Sequence, residues 1–162
     1  MRLAQKGIDM NLIYLEDCVP GQRFGSASRK VTADAIKTFA REYDPQPFHV
    51  DEQTASDTMF GGLAASGWHT AAMTMRLLCD SNFKLAEGII GAGVDELRWP
   101  RPVRPGDELR VDIELLEVRP SKSRPDQGLI KVRTTTLNQR DEPVQIFTGN
   151  LLVPRRGTKL GR

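Results

Sequence analysis

The chain has 162 residues, 39% hydrophobic and 27% charged, with a net charge of +2 from 23 Lys and Arg against 21 Asp and Glu. That length suits one ordinary domain, able to bury roughly 70% of the surface its unfolded chain exposes, and the composition is globular rather than disordered. So even a charge balance argues against a nucleic-acid partner, which selects a concentrated basic face. No apolar run approaches the ~18 residues of a membrane span, and a small-molecule ligand is the default expectation.

Residues 1–19 read as an N-terminal segment, 20–153 as the domain, and 154–162 (PRRGTKLGR) as a basic, flexible tail. The start carries Arg2 and Lys6 without the apolar stretch of a secretory signal, so the expected location is the cytoplasm. Cys18 and Cys79 match no metal or redox spacing and are expected as reduced thiols.

The first clear element follows Thr32, a good N-cap, with Asp34 in the first turn where it complements the helix dipole. Ile36, Phe39, Ala40 and Tyr43 then mark one face of an amphipathic helix. Pro45 disfavours helical backbone at Asp44, so the helix stops there. A short helix is predicted from about Asp51 to Thr58, broken by Gly61 and Gly62. From Ser66 to Cys79 the chain is almost all Ala, Met, Leu and Thr, with Arg76 its one charged residue. A helix apolar round most of its circumference is expected to be buried. Its start, Ser66-Gly67, joins an N-cap to a glycine where another molecule could approach the backbone closely.

After Gly88 the period changes to two. IIGAGVDELRW, DELRVDIELLEVRP, GLIKVRTTTLNQ and VQIFTGNLLVP read as four strands, with turns at 105–107, 125–128 and 138–143. Gly21 to Val31 could add another strand. Helices followed by hairpin-linked strands predict an α+β fold, a single domain with an antiparallel sheet wrapped around a buried central helix. That is the hotdog arrangement.

The most informative stretch is YDPQPFHVD, Tyr43 to Asp51. Asp44 and His49 flank a Pro-x-Pro turn, whose two fixed φ angles lower the entropy cost of holding both side chains in place. Such a carboxylate and imidazole could grip one water and do acid/base work near neutral pH. The same residues could equally be cap, turn or salt-bridge residues, and Asp51 reads as the N-cap of the short helix. Any histidine-based mechanism must use His49 or His69, the only two in the chain; His69 reads as structural.

FAREYDPQPFHVDEQTA resembles the hydratase motif of MaoC-like dehydratases and (R)-specific enoyl-CoA hydratases: an aspartate, then x-Asn-Pro-x-His-x-Asp, then an alanine. Asp44, Pro47, His49 and Asp51 match it; Gln46 stands where asparagine is usual, and Pro45 is an added proline. FGGLAASGWHTAAM is similar to the segment entering the family's central helix, with Ser66 where histidine commonly precedes the glycine. RWPRPVRPGDEL is similar to the strand and turn after it, so the resemblance covers most of residues 20–153.

The resemblance implies a hydro-lyase acting across the C2–C3 bond of an acyl-CoA-type thioester, with Asp44 and His49 as the catalytic acid/base pair. It implies that the Gly67 N–H serves as the oxyanion donor, and Ser66 is expected close to the thioester. Gln46, Phe48 and Trp68 are candidates for the substrate pocket, and Arg98, Arg101 and Arg104 for the coenzyme A phosphates. No metal or organic cofactor is implied, since coenzyme A enters as part of the substrate. Neither a nucleic acid nor a membrane is expected as a partner, but a homodimer or higher even homo-oligomer is. The rival readings are an acyl-CoA thioesterase of the same fold and a non-catalytic acyl-binding protein.

Overall fold

A computed structural model describes residues 11–161, so most of the expected N-terminal segment lies outside the described residues. Two short strands, β1 (Arg23–Gly25) and β2 (Arg29–Lys30), precede the helices α1 (Ala33–Tyr43), α2 (Pro47–Val50), α3 (Glu52–Ser56) and α4 (Gly67–Asp80). The long strands β3 (Ile90–Arg98), β4 (Glu108–Pro120), β5 (Gln127–Leu137) and β6 (Pro143–Pro154) follow. They form one antiparallel sheet in the order β1-β4-β5-β6-β3, with β2 also paired to β4. This is the single α+β hotdog domain that the element order predicts.

Alternation places the core. Leu109, Val111, Ile113 and Leu115 on β4 point inward at every second residue, as do Ile130 and Val132 on β5 and Leu151 and Val153 on β6. Each such side chain contributes roughly 1.5–3 kcal/mol by leaving water. The stretch from Gly21 to Val31 forms two strands rather than one. Ser26 interrupts it, because its hydroxyl accepts the Val111 N–H where a strand would offer a carbonyl.

The helices begin and end where local chemistry says they must. Thr32 caps α1 by accepting the Ala35 N–H, and Asp44 ends it. The Pro-x-Pro segment, read as a turn, continues into a helical turn, because Pro47 at its start has no N–H to leave unpaired. Asp51 caps α3 through the Thr54 N–H, 2.7 Å away.

Helix α4 lies against the sheet, and Ser66 caps it. His69, Thr70, Thr74, Leu77 and Leu78 are buried, whereas Trp68 and Met75 are 62% and 42% exposed. The expected burial round most of the circumference is thus met by this chain along one face. Strand β3 at the sheet edge also leaves Ile90 and Val94 exposed.

After Pro154 the chain remains tied down: Arg155 N donates to Asp126 O, Arg156 pairs with Asp17, and Leu160 N donates to Glu87. No helix among the described residues is long and apolar enough to cross a membrane. Both cysteines are free, Cys18 buried and Cys79 exposed.

Candidate active site at the start of the central helix

Three chain segments meet at the N-terminus of α4. Asp44 ends α1, His49 sits on the turn of α2 that Pro47 initiates, and Ser66-Gly67 opens α4. The peptide from 63 to 65 threads between them, with Ala64 N donating to Phe48 O and Ala65 N to Val103 O. Arg104 braces the loop before it by donating to the carbonyls of Phe60, Gly62 and Leu63.

The hydrogen bonds fix the chemistry of the pair. His49, 5% exposed, has Nδ1 2.6 Å from Ala64 O. A carbonyl only accepts, so Nδ1 carries a proton, and in the neutral ring Nε2 presents a lone pair. That lone pair faces Asp44 Oδ2 at 3.4 Å. Oδ2 also accepts from Ser66 Oγ at 2.6 Å, and Oδ1 from Gln46 Nε2 at 2.7 Å. With the ring neutral, two acceptors face each other across this gap and a donor such as water can bridge them; with the ring protonated, Nε2 donates to Asp44 directly.

Partial burial pushes the Asp44 carboxyl upward, but hydrogen bonds from Ser66 and Gln46 and the charge of a protonated His49 outweigh it, so the net shift is below its ordinary value. A depressed carboxyl contributes stability that is complete above its unfolded-state pKa and is lost as pH falls through the lower folded value. Ser66→Ala removes the largest stabilising hydrogen bond, so the acid limb of kcat/KM is expected to move to higher pH, read from a rate profile. It also removes a helix cap, worth about 1 kcal/mol of stability. An unmoved acid limb would exclude Asp44 as the group titrating there.

A cleft of about 550 Å³ opens beside the pair, lined by Asp44, His49, Gln46, Phe48, Gly67 and Trp68, with Arg101 and Trp99 also on its wall. The structure therefore brings together most of the candidates from the sequence. Ser66 lies beneath, fully buried, its hydroxyl turned to Asp44 rather than into the cleft. Arg98 pairs with Glu96 away from the lining, and the Arg104 guanidinium is committed to the loop carbonyls. His69 stacks on Phe39 at 4.7 Å, and burial pushes its pKa down. Among the described residues, no group of three or more His, Cys, Asp and Glu could hold a metal.

Gly67 is the first residue of α4, so its N–H has no partner within the helix. Its bare Cα is covered by the Trp99 indole: a Cβ there would lie 2.8 Å from Cε2 and 3.0 Å from Cδ2 and Cζ2. The close approach expected at this glycine is made by the protein's own tryptophan. Trp99, Met59 and Phe60 line the cleft without having stood out in the sequence. An aromatic residue closing a predicted strand, just before the prolines of RWPRP, is the one available signal for Trp99.

With this geometry in place, the similarities to known proteins are informative. The family model described as MaoC like domain matches residues 17–138. A crystal structure described as the MaoC-like dehydratase from Rhodospirillum rubrum is 57% identical, with a TM-score of 0.87, covering 90% of this chain and 99% of that one. A Bacillus subtilis (strain 168) protein, named uncharacterized protein YdeM, is 37% identical over 139 residues, 86% of this chain and 96% of its own length. R-Hydratase PhaJ1 from Pseudomonas aeruginosa, 24% identical with a TM-score of 0.70 over 93% of this chain and 95% of that one, shares the fold.

Proposed function

Since the chain belongs to the MaoC-like family, we propose that it is a hydro-lyase that adds or removes water across the C2–C3 bond of an acyl-CoA-type thioester. The observation that carries this reading is the Asp44–His49 pair: a carboxylate and an imidazole 3.4 Å apart at the edge of a cleft that also contains the first amide of α4. A water donating one O–H to Asp44 Oδ2 and the other to His49 Nε2 is held with its oxygen lone pairs free. In hydration that oxygen bonds to C3 while one of its protons passes to the pair. The C2–C3 π electrons move toward the carbonyl, and the thioester oxygen becomes an enolate. The Gly67 N–H, at the positive end of α4, stabilises that charge. The pair then returns one proton to C2, so the elements of water are added and the site is restored. Asp44 and His49 act on one water as a single unit.

Gln46 and Ser66 hold the two carboxylate oxygens, and Phe48 and Trp68 shape the pocket. Arg101 lines the cleft with its guanidinium 3.8 Å from Glu142, and its role in this reading is to exchange that partner for an anionic group of coenzyme A. The exposed apolar residues Trp68, Met75, Ile90 and Val94, on α4 and the edge strand, support a homodimer or higher even assembly. A sedimentation mass of one chain would exclude it.

The deciding experiment is a spectrophotometric assay on enoyl-CoA esters of graded chain length, run beside a thiol reagent. Loss of the conjugated enoyl absorbance without thiol release is expected. Thiol release would make the protein a thioesterase, and binding without turnover across the panel would make it an acyl-binding protein.

A further inference from the structure

Behind the cleft runs a chain of polar side chains that the mechanism above leaves unused. Trp99 Nε1 donates to Gln145 Oε1 at 2.8 Å. Indole nitrogen only donates, so this contact fixes the amide's orientation and leaves Gln145 Nε2 to donate to Thr74 Oγ1, 3.0 Å away. Thr74 Oγ1 in turn lies 2.6 Å from Thr136 Oγ1. Gln145, Thr74 and Thr136 are 1%, 2% and 0% exposed. Polar groups this deep cost stability unless paired, and a fully paired chain of them specifies one arrangement.

The path closes on itself. Arg98 on β3 pairs with Ile146 on β6, which sets Trp99 beside Gln145. Gln145 reaches α4 at Thr74, and the Trp99 ring returns to α4 at Gly67, with Trp68 edge-on to it at 5.4 Å. Helix α4 is thus held at two points, about 10 Å apart at 1.5 Å per residue, against one indole.

Resting on the hydro-lyase reading, we propose that Trp99 is a positioning residue, and that Gln145, Thr74 and Thr136 form a relay locking its ring over Gly67. The relay sets the axial and rotational placement of the first turn of α4, and so the direction of the Gly67 N–H. It also keeps one side of that donor dry. A donor aimed in advance needs no reorganisation as charge develops, and a misplacement of about 1 Å can cost ~10²-fold in rate.

Thr74→Val tests the relay, because the two side chains have the same shape and Thr74 lies two hydrogen bonds from the cleft surface. Its kcat is expected to fall ~10-fold or more, with KM changed less than ~2-fold and the pH profile unaltered in shape. Thr74→Ser restores the hydroxyl and should return kcat to within ~2-fold of wild type. Trp99→Phe loses the N–H together with part of the fused ring over Gly67, so its kcat should fall at least as far as that of Thr74→Val. The double variant Thr74→Val/Trp99→Phe should be no slower than Trp99→Phe alone, since the relay then has no N–H to hold. Independent, multiplying effects in the double variant would overturn the relay, as would full kcat in Trp99→Phe, which decides the matter should Thr74→Val not fold. Wild type silent on every enoyl thioester would remove the reaction itself, whereas active wild type with Thr74→Val and Trp99→Phe equally active removes only the relay.

Discussion

Asp44→Asn is expected to cut turnover of an accepted enoyl thioester by about 10²–10⁴-fold, the range for a positioned acid/base group, with a much smaller change in KM. The substitution keeps the shape and most of the hydrogen bonds, so the loss would be chemical rather than structural. In the wild type, Asp44 Oδ2 and His49 Nε2 lie 3.4 Å apart, and with the ring neutral both are acceptors that a donor such as water can bridge. An amide either puts an N–H in that gap, satisfying His49 directly and displacing the water, or presents a neutral oxygen with far less pull on a proton. His49→Ala should cost a similar factor by removing the other acceptor. Because the two groups act on one water, Asp44→Asn/His49→Ala should be scarcely slower than either single variant, as for other sites that work as a unit. Single-turnover rates on matched protein with unchanged far-UV circular dichroism would show this. Losses that multiply would mean two independent roles, and single variants with near wild-type turnover would leave the pair without a catalytic part.

That pair is legible in the sequence because its constraints are local. Two prolines, five residues of spacing and a scarcity of histidine place both side chains beside one turn, and the fold then needs only to deliver Ser66 from 22 residues away. The strands and the cap of α1 are legible for the same reason, since alternation and capping involve neighbours along the chain. What escapes is direction and register. Arg98, Arg101 and Arg104 look like one basic cluster, yet intervening prolines break regular geometry, and their guanidinium groups turn to Glu96, to Glu142 and Pro143 O, and to the loop carbonyls. Gln46 lines the cleft as a pocket residue should, but its sequence position does not reveal that its amide donates to Asp44. Trp99 and Gln145 are 46 residues apart and meet only through the β3–β6 register, which no single sequence states. The composition of α4 reveals how much apolar surface it carries, but not that Trp68 and Met75 are left uncovered by their own chain.

Gly67→Ala is expected to be both less stable and less active, against the ordinary preference of helices for alanine by about 1 kcal/mol in their interior. Gly67 does not have the positive φ that excludes side chains elsewhere in the chain, so backbone strain does not demand a glycine here. Space does. The new Cβ would meet the Trp99 ring at 2.8–3.0 Å, and the indole cannot simply retreat, because Gln145 holds its N–H and Trp68 abuts it edge-on. Overpacking of this kind costs roughly 1–3 kcal/mol, and at this size each kcal/mol lowers the melting temperature by about 2–4 °C. If the N–H of residue 67 is the oxyanion donor, tilting the first turn of α4 to relieve the clash should also lower kcat by about 10²–10³-fold, the usual cost of losing one such donor. Thermal melts and hydration kinetics on the same preparation separate the two effects. A lowered melting temperature with unchanged kcat would keep the Trp99 contact and dismiss the Gly67 amide as the donor. A variant at least as stable as wild type would mean that the indole yields freely, and the wall over the thioester site would then be a soft one.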